Sequence, residues 1–204
     1  MAESRFDRAA ATWDENPGRV AMARSIVAAI LAQIPVHEEM TVVDFGCGTG
    51  LVSLGLTEHV RQVIGIDSSA GMLNVLGEKL RQAGIHNVET LLLDLEKEPA
   101  PELHADLAVS AMTLHHLADV PAVLRKLAAM LAPGGYIALA DLVTEDGSFH
   151  SDMTGVHHHG LDPAWVEETL RGLGFEDTQS SIAHVIDRGE RQYPVFLVSG
   201  RKPG

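Results

Sequence analysis

Short apolar runs alternate with amphipathic segments along most of this chain, and this alternation constrains the fold more than any other feature. Five apolar runs are predicted strands, at residues 41–45, 63–67, 88–93, 106–111 and 136–142. Segments with apolar residues at helical spacing are predicted helices, at residues 16–34, 51–58, 69–84, 120–131 and 162–172. Most of the strands are apolar throughout, which is typical of strands buried on both faces. The pattern therefore predicts an α/β fold with a doubly wound, mostly parallel sheet.

The C-terminal part departs from the alternation. Two strand-like runs, Ser180–Ile186 and Pro194–Val198, are separated by only seven residues. A parallel crossover needs a dozen or more residues, so these runs are predicted to form an antiparallel hairpin. The hairpin would complete a seven-stranded sheet.

Composition excludes several classes of function. A length of 204 residues suits a single domain, and a formal net charge of −13 would repel a nucleic-acid backbone. The only cysteine is Cys47, so no intramolecular disulfide is possible. We find neither a signal peptide nor an apolar stretch of the roughly 20 residues that span a bilayer. We therefore expect a cytoplasmic protein, monomeric or homodimeric, with no nucleic-acid or membrane partner.

A glycine-rich turn, Asp44–Gly50, follows the first predicted strand, where α/β sheets bind ligands. Its spacing is G-x-G-x-G, and Leu51 stands where the dinucleotide pattern G-x-G-x-x-G requires its third glycine. The carboxylate of Asp44 would be unfavourable beside a pyrophosphate but suits a cationic ligand. The turn thus favours a cofactor that carries positive charge.

The run Val-Val-Asp44-Phe-Gly46-Cys-Gly48-Thr-Gly50 resembles motif I of the class I methyltransferases, which bind S-adenosylmethionine. Met112–Leu117 resembles the motif IV region, and the Ala-Pro-Gly-Gly run ending at Gly135 is shared too. The head, Phe6–Asp14, resembles that of quinone-biosynthesis-type small-molecule members, where it is a lid. The resemblance is strong over residues 41–142. It implies a Rossmann-like methyltransferase domain with these parts: lid 1–35, cofactor-binding core 36–142, acceptor-site loop 143–161, and closing helix and hairpin 162–204.

Two acidic residues at strand ends extend the predicted cofactor site. Asp67 can accept both ribose hydroxyls, a role that fits NAD equally well. The resemblance assigns Asp94 to the adenine amino group, with Leu95 against the ring. Met72 packs either on the adenine or in the core, and Trp13 belongs either to the lid or to a terminal-helix anchor. The predicted cofactor-binding residues are Trp13, Asp44, Gly46, Cys47, Gly48, Gly50, Asp67, Ser68, Met72, Asp94, Leu95 and Ser110.

The chain has eleven histidines, four of them between Val143 and Leu161. A loop this long is usually functional or disordered. It could supply a general base to an acceptor, be a solvated loop, or bind a metal with His115 or His116. The histidines lack the spacing of a metal site, so we predict none. The candidate bases are His115, His116, His157 and His158, with Asp141 as a weaker candidate.

The leading hypothesis is an S-adenosylmethionine-dependent methyltransferase that acts on a small molecule by in-line methyl transfer. In such a reaction the protein mainly aligns the acceptor. A proton-bearing oxygen or nitrogen acceptor also benefits from a base. Two alternatives are a non-catalytic binder of S-adenosylmethionine or S-adenosylhomocysteine, and a nicotinamide-dependent oxidoreductase. The glycine spacing and the terminal hairpin argue against the second.

Overall fold

A computed structural model describes residues 4–204 of the chain. Within this range seven strands form one mixed sheet in the order β3-β2-β1-β4-β5-β7-β6. The strands are β1 Thr41–Phe45, β2 Gln62–Asp67, β3 Val88–Leu92, β4 Ala105–Ala111, β5 Leu131–Leu142, β6 Glu176–Arg188 and β7 Arg191–Arg201. The predicted doubly wound α/β sheet is confirmed.

Six α-helices accompany these strands within the described residues. They are α1 Arg5–Ala9, α2 Pro17–Gln33, α3 Leu51–Leu56, α4 Ala70–Ala83, α5 Val120–Met130 and α6 Pro163–Gly172. Side chains cap two helix starts, since Ser69 accepts from the Met72 N–H and Asp162 from the Ala164 N–H. Short 3₁₀ helices lie at Ala10–Glu15 and Leu114–His116.

Strands β1 to β5 are parallel, and β7 is antiparallel to both β5 and β6. The hairpin prediction is therefore confirmed, and β6 runs in the same direction as the parallel strands. One apolar cluster packs α2, α3 and α4 against one face of the sheet. A second cluster packs α5 and α6 against the other face. None of the helices described in residues 4–204 is long and apolar enough to cross a membrane.

The largest differences from the predicted strand boundaries lie in β5 and in the hairpin. Strand β5 begins at Leu131 instead of Tyr136, because Leu131 pairs with Ala105 before the Pro-Gly-Gly turn. The turn shifts the register of the β4–β5 pairing, since β5 advances from Leu131 to Tyr136 while β4 advances only from Ala105 to Leu107. The hairpin is also longer than predicted. Its polar flanks continue the pairing to Arg188 and Arg191, leaving a two-residue turn.

Candidate functional site

A cavity of about 750 Å³ lies where the carboxyl ends of the parallel strands meet. The loops after β1 to β4 line it, together with the loop after β5 and the end of β6. The N-terminal residues from Arg5 to Ile26 contribute further lining side chains. Its volume is in the range of about 300–1,000 Å³ that is typical of small-molecule sites.

The glycine turn after β1 borders this cavity through Gly46 and Gly48. Both have positive φ angles, of 71° and 55°, which glycine adopts most readily. A Cβ on Gly46 would lie 2.2 Å from Oγ1 of Thr113, so this glycine is required by the protein's own packing. A Cβ on Gly48 would find only the Met72 sulfur, 4.0 Å away. The open space at Gly48 lets a ligand approach the backbone closely.

Asp44 is 1% exposed, yet it borders the cavity and has no cationic partner among the described residues. Its carboxylate accepts the Ser53 hydroxyl at 2.5 Å. Burial raises the pKa of Asp44 to about 6, opposed by the Ser53 hydrogen bond and assisted by the charge of Asp67. A buried carboxylate with a raised pKa can bind a positively charged ligand group.

Asp67, at the end of β2, connects the glycine turn to α4. Its two oxygens accept the backbone N–H groups of Gly48 and Ser69, both at 2.8 Å. Burial raises the pKa of Asp67 despite these two hydrogen bonds. The side chain is therefore fixed at the cavity wall with lone pairs left to accept from a ligand.

The other predicted cofactor-binding residues divide into two groups. Those that line the cavity are Trp13, Cys47, Ser68, Met72, Asp94 and Leu95. Burial raises the pKa of the Cys47 thiol well above its usual range, so this group is not a nucleophile. Gly50 and Ser110 lie outside the lining. A Cβ on Gly50 would meet Leu76, and the Ser110 hydroxyl donates to the Phe45 carbonyl at 3.0 Å.

Three histidines meet at the cavity wall, namely His115, His116 and His150. The ring centroid of His115 lies 4.0 Å from that of His116 and 5.0 Å from that of His150. His115 is 1% exposed, and its Nδ1 lies 2.6 Å from Oδ1 of fully buried Asp141, while its Nε2 has no partner. Burial is the main cause that lowers the pKa of His116 to about 3 and that of His150 to about 4.

His157 and His158 lie outside the cavity lining, although both were predicted as candidate bases. Their backbone N–H groups donate to the carbonyl of His115, at 3.0 and 3.1 Å. These hydrogen bonds hold the loop after β5 against the 3₁₀ helix Leu114–His116. The same loop reaches the cavity through Phe149–Asp152 and Gly155 instead. Among residues 4–204 no three His, Cys, Asp or Glu side chains are placed to hold a metal ion.

The N-terminal segment is fastened to the glycine-rich turn and to the start of α4 by two carboxylates, Asp14 and Asp7, that had no predicted role. Asp7 accepts the Ser69 hydroxyl at 2.6 Å and the Gly71 N–H at 2.9 Å, which hold its pKa well below the usual range. Asp14 accepts the Thr49 hydroxyl at 2.6 Å and pairs with Lys79. Both acids lie in the head segment Phe6–Asp14, whose family resemblance is the sequence feature that could have pointed to them. Their hydrogen-bond partners are too distant in sequence to form a recognisable pattern.

Two of the three arginines that line the cavity, Arg19 and Arg188, stack on aromatic rings and had no predicted role. The Arg19 guanidinium stacks over the Trp13 ring, 3.7 Å from its centroid. The Arg188 guanidinium stacks over Phe149 at 4.2 Å. Trp13 additionally contacts Phe6 edge to face. Single arginines in unrelated segments give no spacing signal, so only the fold could bring them together.

Comparison with known proteins supports one family. Residues 42–135 match the family model described as a methyltransferase domain. An uncharacterized methyltransferase of Schizosaccharomyces pombe is 31% identical over 165 residues, which cover 74% of this chain and 57% of that protein. A ubiquinone biosynthesis O-methyltransferase of Rhodopseudomonas palustris is 30% identical over 155 residues, covering 70% and 60%. The chain thus spans somewhat over half the length of these curated relatives.

Among solved structures, a methyltransferase in complex with the Haloferax volcanii Trm112 methyltransferase activator superposes with a TM-score of 0.79. The match covers 100% of both chains at 20% sequence identity. At this identity the likeness concerns the fold. The arrangement of strands is therefore shared with solved methyltransferase structures.

Proposed function

Since this chain belongs to the class I S-adenosylmethionine-dependent methyltransferases, we propose that it transfers a methyl group from S-adenosylmethionine to a small-molecule acceptor. The single observation that carries the proposal is the pair of carboxylates, Asp44 and Asp67, set at the cavity wall around the open backbone of Gly48. A cationic sulfonium ligand with a ribose needs an anionic wall, a hydroxyl acceptor and room at the backbone.

The residues present fit this cofactor. Gly48 leaves the space that a ligand needs, and Asp44 lacks a cationic partner among the described residues. We assign Asp44 to the cationic end, Asp67 to the ribose hydroxyls, and Asp94 with Leu95 to the adenine. When bound, the cofactor supplies a methyl group on a positively charged sulfur, which leaves as a neutral thioether.

The protein's own contribution is to exclude water and to orient the acceptor. The docked N-terminal segment covers the cavity with Phe6 and Trp13. Orientation of the reactants can lower the activation free energy by about 7–11 kcal/mol. A chain with a net charge of −13 suits a small molecule better than a nucleic acid. The described residues form no additional recognition domain.

For an acceptor that must lose a proton, we assign the general base to His115. Among the three cavity histidines it alone has a carboxylate partner, Asp141, and its Nε2 has no other partner. The acceptor's proton would pass to Nε2. The Nδ1–H would continue to donate to Asp141, whose carboxylate stabilises the imidazolium. His116 and His150, with lowered pKa values, stay neutral and shape the wall.

The experiment is incubation of the protein with S-adenosylmethionine and a panel of small hydroxyl, amine, thiol and carboxylate acceptors. Release of S-adenosylhomocysteine that depends on one acceptor is the expected result. The Asp67→Ala variant should release less S-adenosylhomocysteine when S-adenosylmethionine is below saturation. Binding of S-adenosylhomocysteine without turnover on any member of the panel would contradict catalysis and identify a cofactor-binding protein.

A further inference from the structure

Three arginines reach the cavity without an acidic partner. The Arg5 Nη1 donates to the backbone carbonyls of Asp152 and Thr154, the Arg19 Nη1 to that of Trp13, and the Arg188 Nη1 to that of Phe149. Within residues 4–204 none of these arginines forms an ion pair. In a chain of net charge −13, unpaired arginines converging on one cavity require an explanation.

Arg19 and Arg188 both line the cavity, which brings two guanidiniums to its wall. Burial is the main cause that lowers the pKa of Arg19; the charge of Asp14 opposes this shift, and the charge of Arg188 adds to it. Arginine side chains are charged at neutral pH. Two like charges lining one cavity disfavour the empty site and favour an anion placed between or beside them.

The acids near these arginines are engaged elsewhere. Asp14 attracts Arg19 electrostatically, but its two oxygens bind Thr49 and Lys79. Asp152 accepts the Thr154 N–H, and Asp187 accepts the Gly189 N–H, each within its own turn. These acids therefore leave the guanidinium edges of Arg19 and Arg188 without an ion-pair partner.

Two of the three cavity histidines, His116 and His150, add no positive charge here. Burial is the main cause of their lowered pKa values, and the charges of His115 and then of Arg5 lower both further. Both rings are neutral at neutral pH. The arginines therefore contribute positive charge to the cavity that these two rings do not.

Stacking prepares the two guanidiniums to bind an anion. Arg19 lies on Trp13 and Arg188 on Phe149. Each aromatic ring therefore covers one flat face of a guanidinium and leaves its N–H edges uncovered. An arginine held in this way loses less side-chain entropy on binding. Met22 and Phe6 line the same cavity and provide an apolar surface.

We propose that the methyl acceptor is a small acid, with a carboxylate or phosphate bound by Arg19 and Arg188 and an apolar body against the neighbouring aromatic and Met22 side chains. This inference rests on the proposed function, because it names the substrate class of the same cavity. Guanidinium groups bind carboxylate and phosphate through paired hydrogen bonds, whereas a neutral amide offers no charge to either arginine.

The test uses the full chain saturated with S-adenosylhomocysteine and titrated with hexanoate, hexyl phosphate and hexanamide. At least one anion should bind tenfold or more tightly than hexanamide, and comparison of the two anions distinguishes carboxylate from phosphate. Arg19→Gln and Arg188→Gln should each remove most of that preference, and Arg188→Lys should retain part of it. Arg24→Gln is the matched control, because Arg24 lies exposed on the same helix as Arg19 and outside the cavity lining.

Two results would overturn the inference. One is equal binding of hexanamide and both anions, and the other is an equal loss of anion binding in the Arg24→Gln control. Circular dichroism and the melting temperature of each variant identify any that fail to fold. If a glutamine variant fails to fold, the test is decided by whether Arg188→Lys retains only part of the preference for the anion. If S-adenosylhomocysteine itself does not bind, the proposed function fails, which is a separate outcome from failure of anion selectivity.

Discussion

The imidazole Nδ1 of His115 lies 2.6 Å from Oδ1 of Asp141, and both side chains are almost completely buried. Asp141 also accepts the backbone N–H groups of His115 and Leu142, so its carboxylate is held in place from three directions. This arrangement fixes the orientation of the imidazole. It leaves Nε2 as the nitrogen that can receive a proton from an acceptor.

If this pair is the general base, Asp141→Asn should reduce methyl transfer by roughly 10²-fold or more, in line with the usual contribution of a base. The affinity for S-adenosylhomocysteine should stay within about twofold, because neither residue is assigned to the cofactor. Single-turnover rates with an acceptor from the panel provide the measurement. Asp146→Asn, at an exposed acid outside the cavity lining, is the control. An unchanged rate in Asp141→Asn would remove the assignment of His115.

The carboxylate of Asp67 should carry part of the cofactor affinity. Asp67→Ala is expected to weaken S-adenosylmethionine binding by about 1–3 kcal/mol through lost hydrogen bonds to the ribose. Isothermal titration calorimetry measures the loss. Glu78→Ala is a matched control, since Glu78 is an exposed acid on α4 outside the cavity lining. Equal affinities in the two variants would contradict the ribose assignment.

The pKa of Asp44 predicts how cofactor affinity changes with pH. Its value of about 6 in the ligand-free protein means that the carboxyl group is protonated below this pH and must lose that proton to bind a cationic ligand. Affinity for S-adenosylmethionine should therefore fall by up to about tenfold per pH unit as the pH drops below about 6. Asp44→Asn should bind weakly at every pH and flatten the profile. A wild-type affinity that is constant from about pH 8 to pH 5 would contradict this.

Folding stability should respond to Asp44 in the opposite sense. The folded-state pKa is raised above the unfolded value of 3.8, so the folded protein binds the extra proton between these two values. The stability of the ligand-free protein should thus gain from this group as the pH falls from about 7 toward 4. Asp44→Asn should raise the melting temperature at about pH 7.5, and the gain should shrink toward pH 5. A lower melting temperature for this variant at pH 7.5 would show that the Ser53 hydrogen bond outweighs burial.

The hydrogen bonds of Asp7 should govern the opening of the N-terminal segment. Asp7→Ala removes its bonds to Ser69 and Gly71, which together are worth about 1–2 kcal/mol. Amide hydrogen exchange over residues 5–15 should accelerate by roughly 5- to 30-fold. Glu15→Ala is the control, because Glu15 is an exposed acid in the same segment. Identical exchange in both variants would show that Asp7 does not hold the segment.

The features that depend on local order could be predicted from the sequence. Apolar runs locate the strands, and Asp67 lies where a strand ends, so its place at the cavity follows from the sheet topology alone. His157 and His158 show where this reasoning stops. Their backbone groups hold the loop to His115, and Phe149 and His150 face the cavity instead. The path of an aperiodic loop depends on such long-range hydrogen bonds, which leave no repeating pattern in the sequence.

The cavity shared by Arg19 and Arg188 is a second feature that the sequence does not reveal. One arginine lies on α2 and the other at the end of β6, and the fold places both at the cavity wall. The hairpin itself was predicted, but its strands extend to Arg188 only because the polar flanks keep pairing. Ser110 illustrates the converse, since a polar residue at a strand end can serve the sheet by bonding to Phe45 rather than a ligand.

Calorimetric titration of the full chain with S-adenosylhomocysteine, and separately with NADH, tests the central claim most directly. The carboxylates Asp44 and Asp67 around Gly48 predict one-site binding of S-adenosylhomocysteine that weakens in Asp67→Ala, with no detectable binding of NADH at the same concentration. Binding of NADH in preference to S-adenosylhomocysteine, or no binding of S-adenosylhomocysteine by a folded protein, would contradict the account.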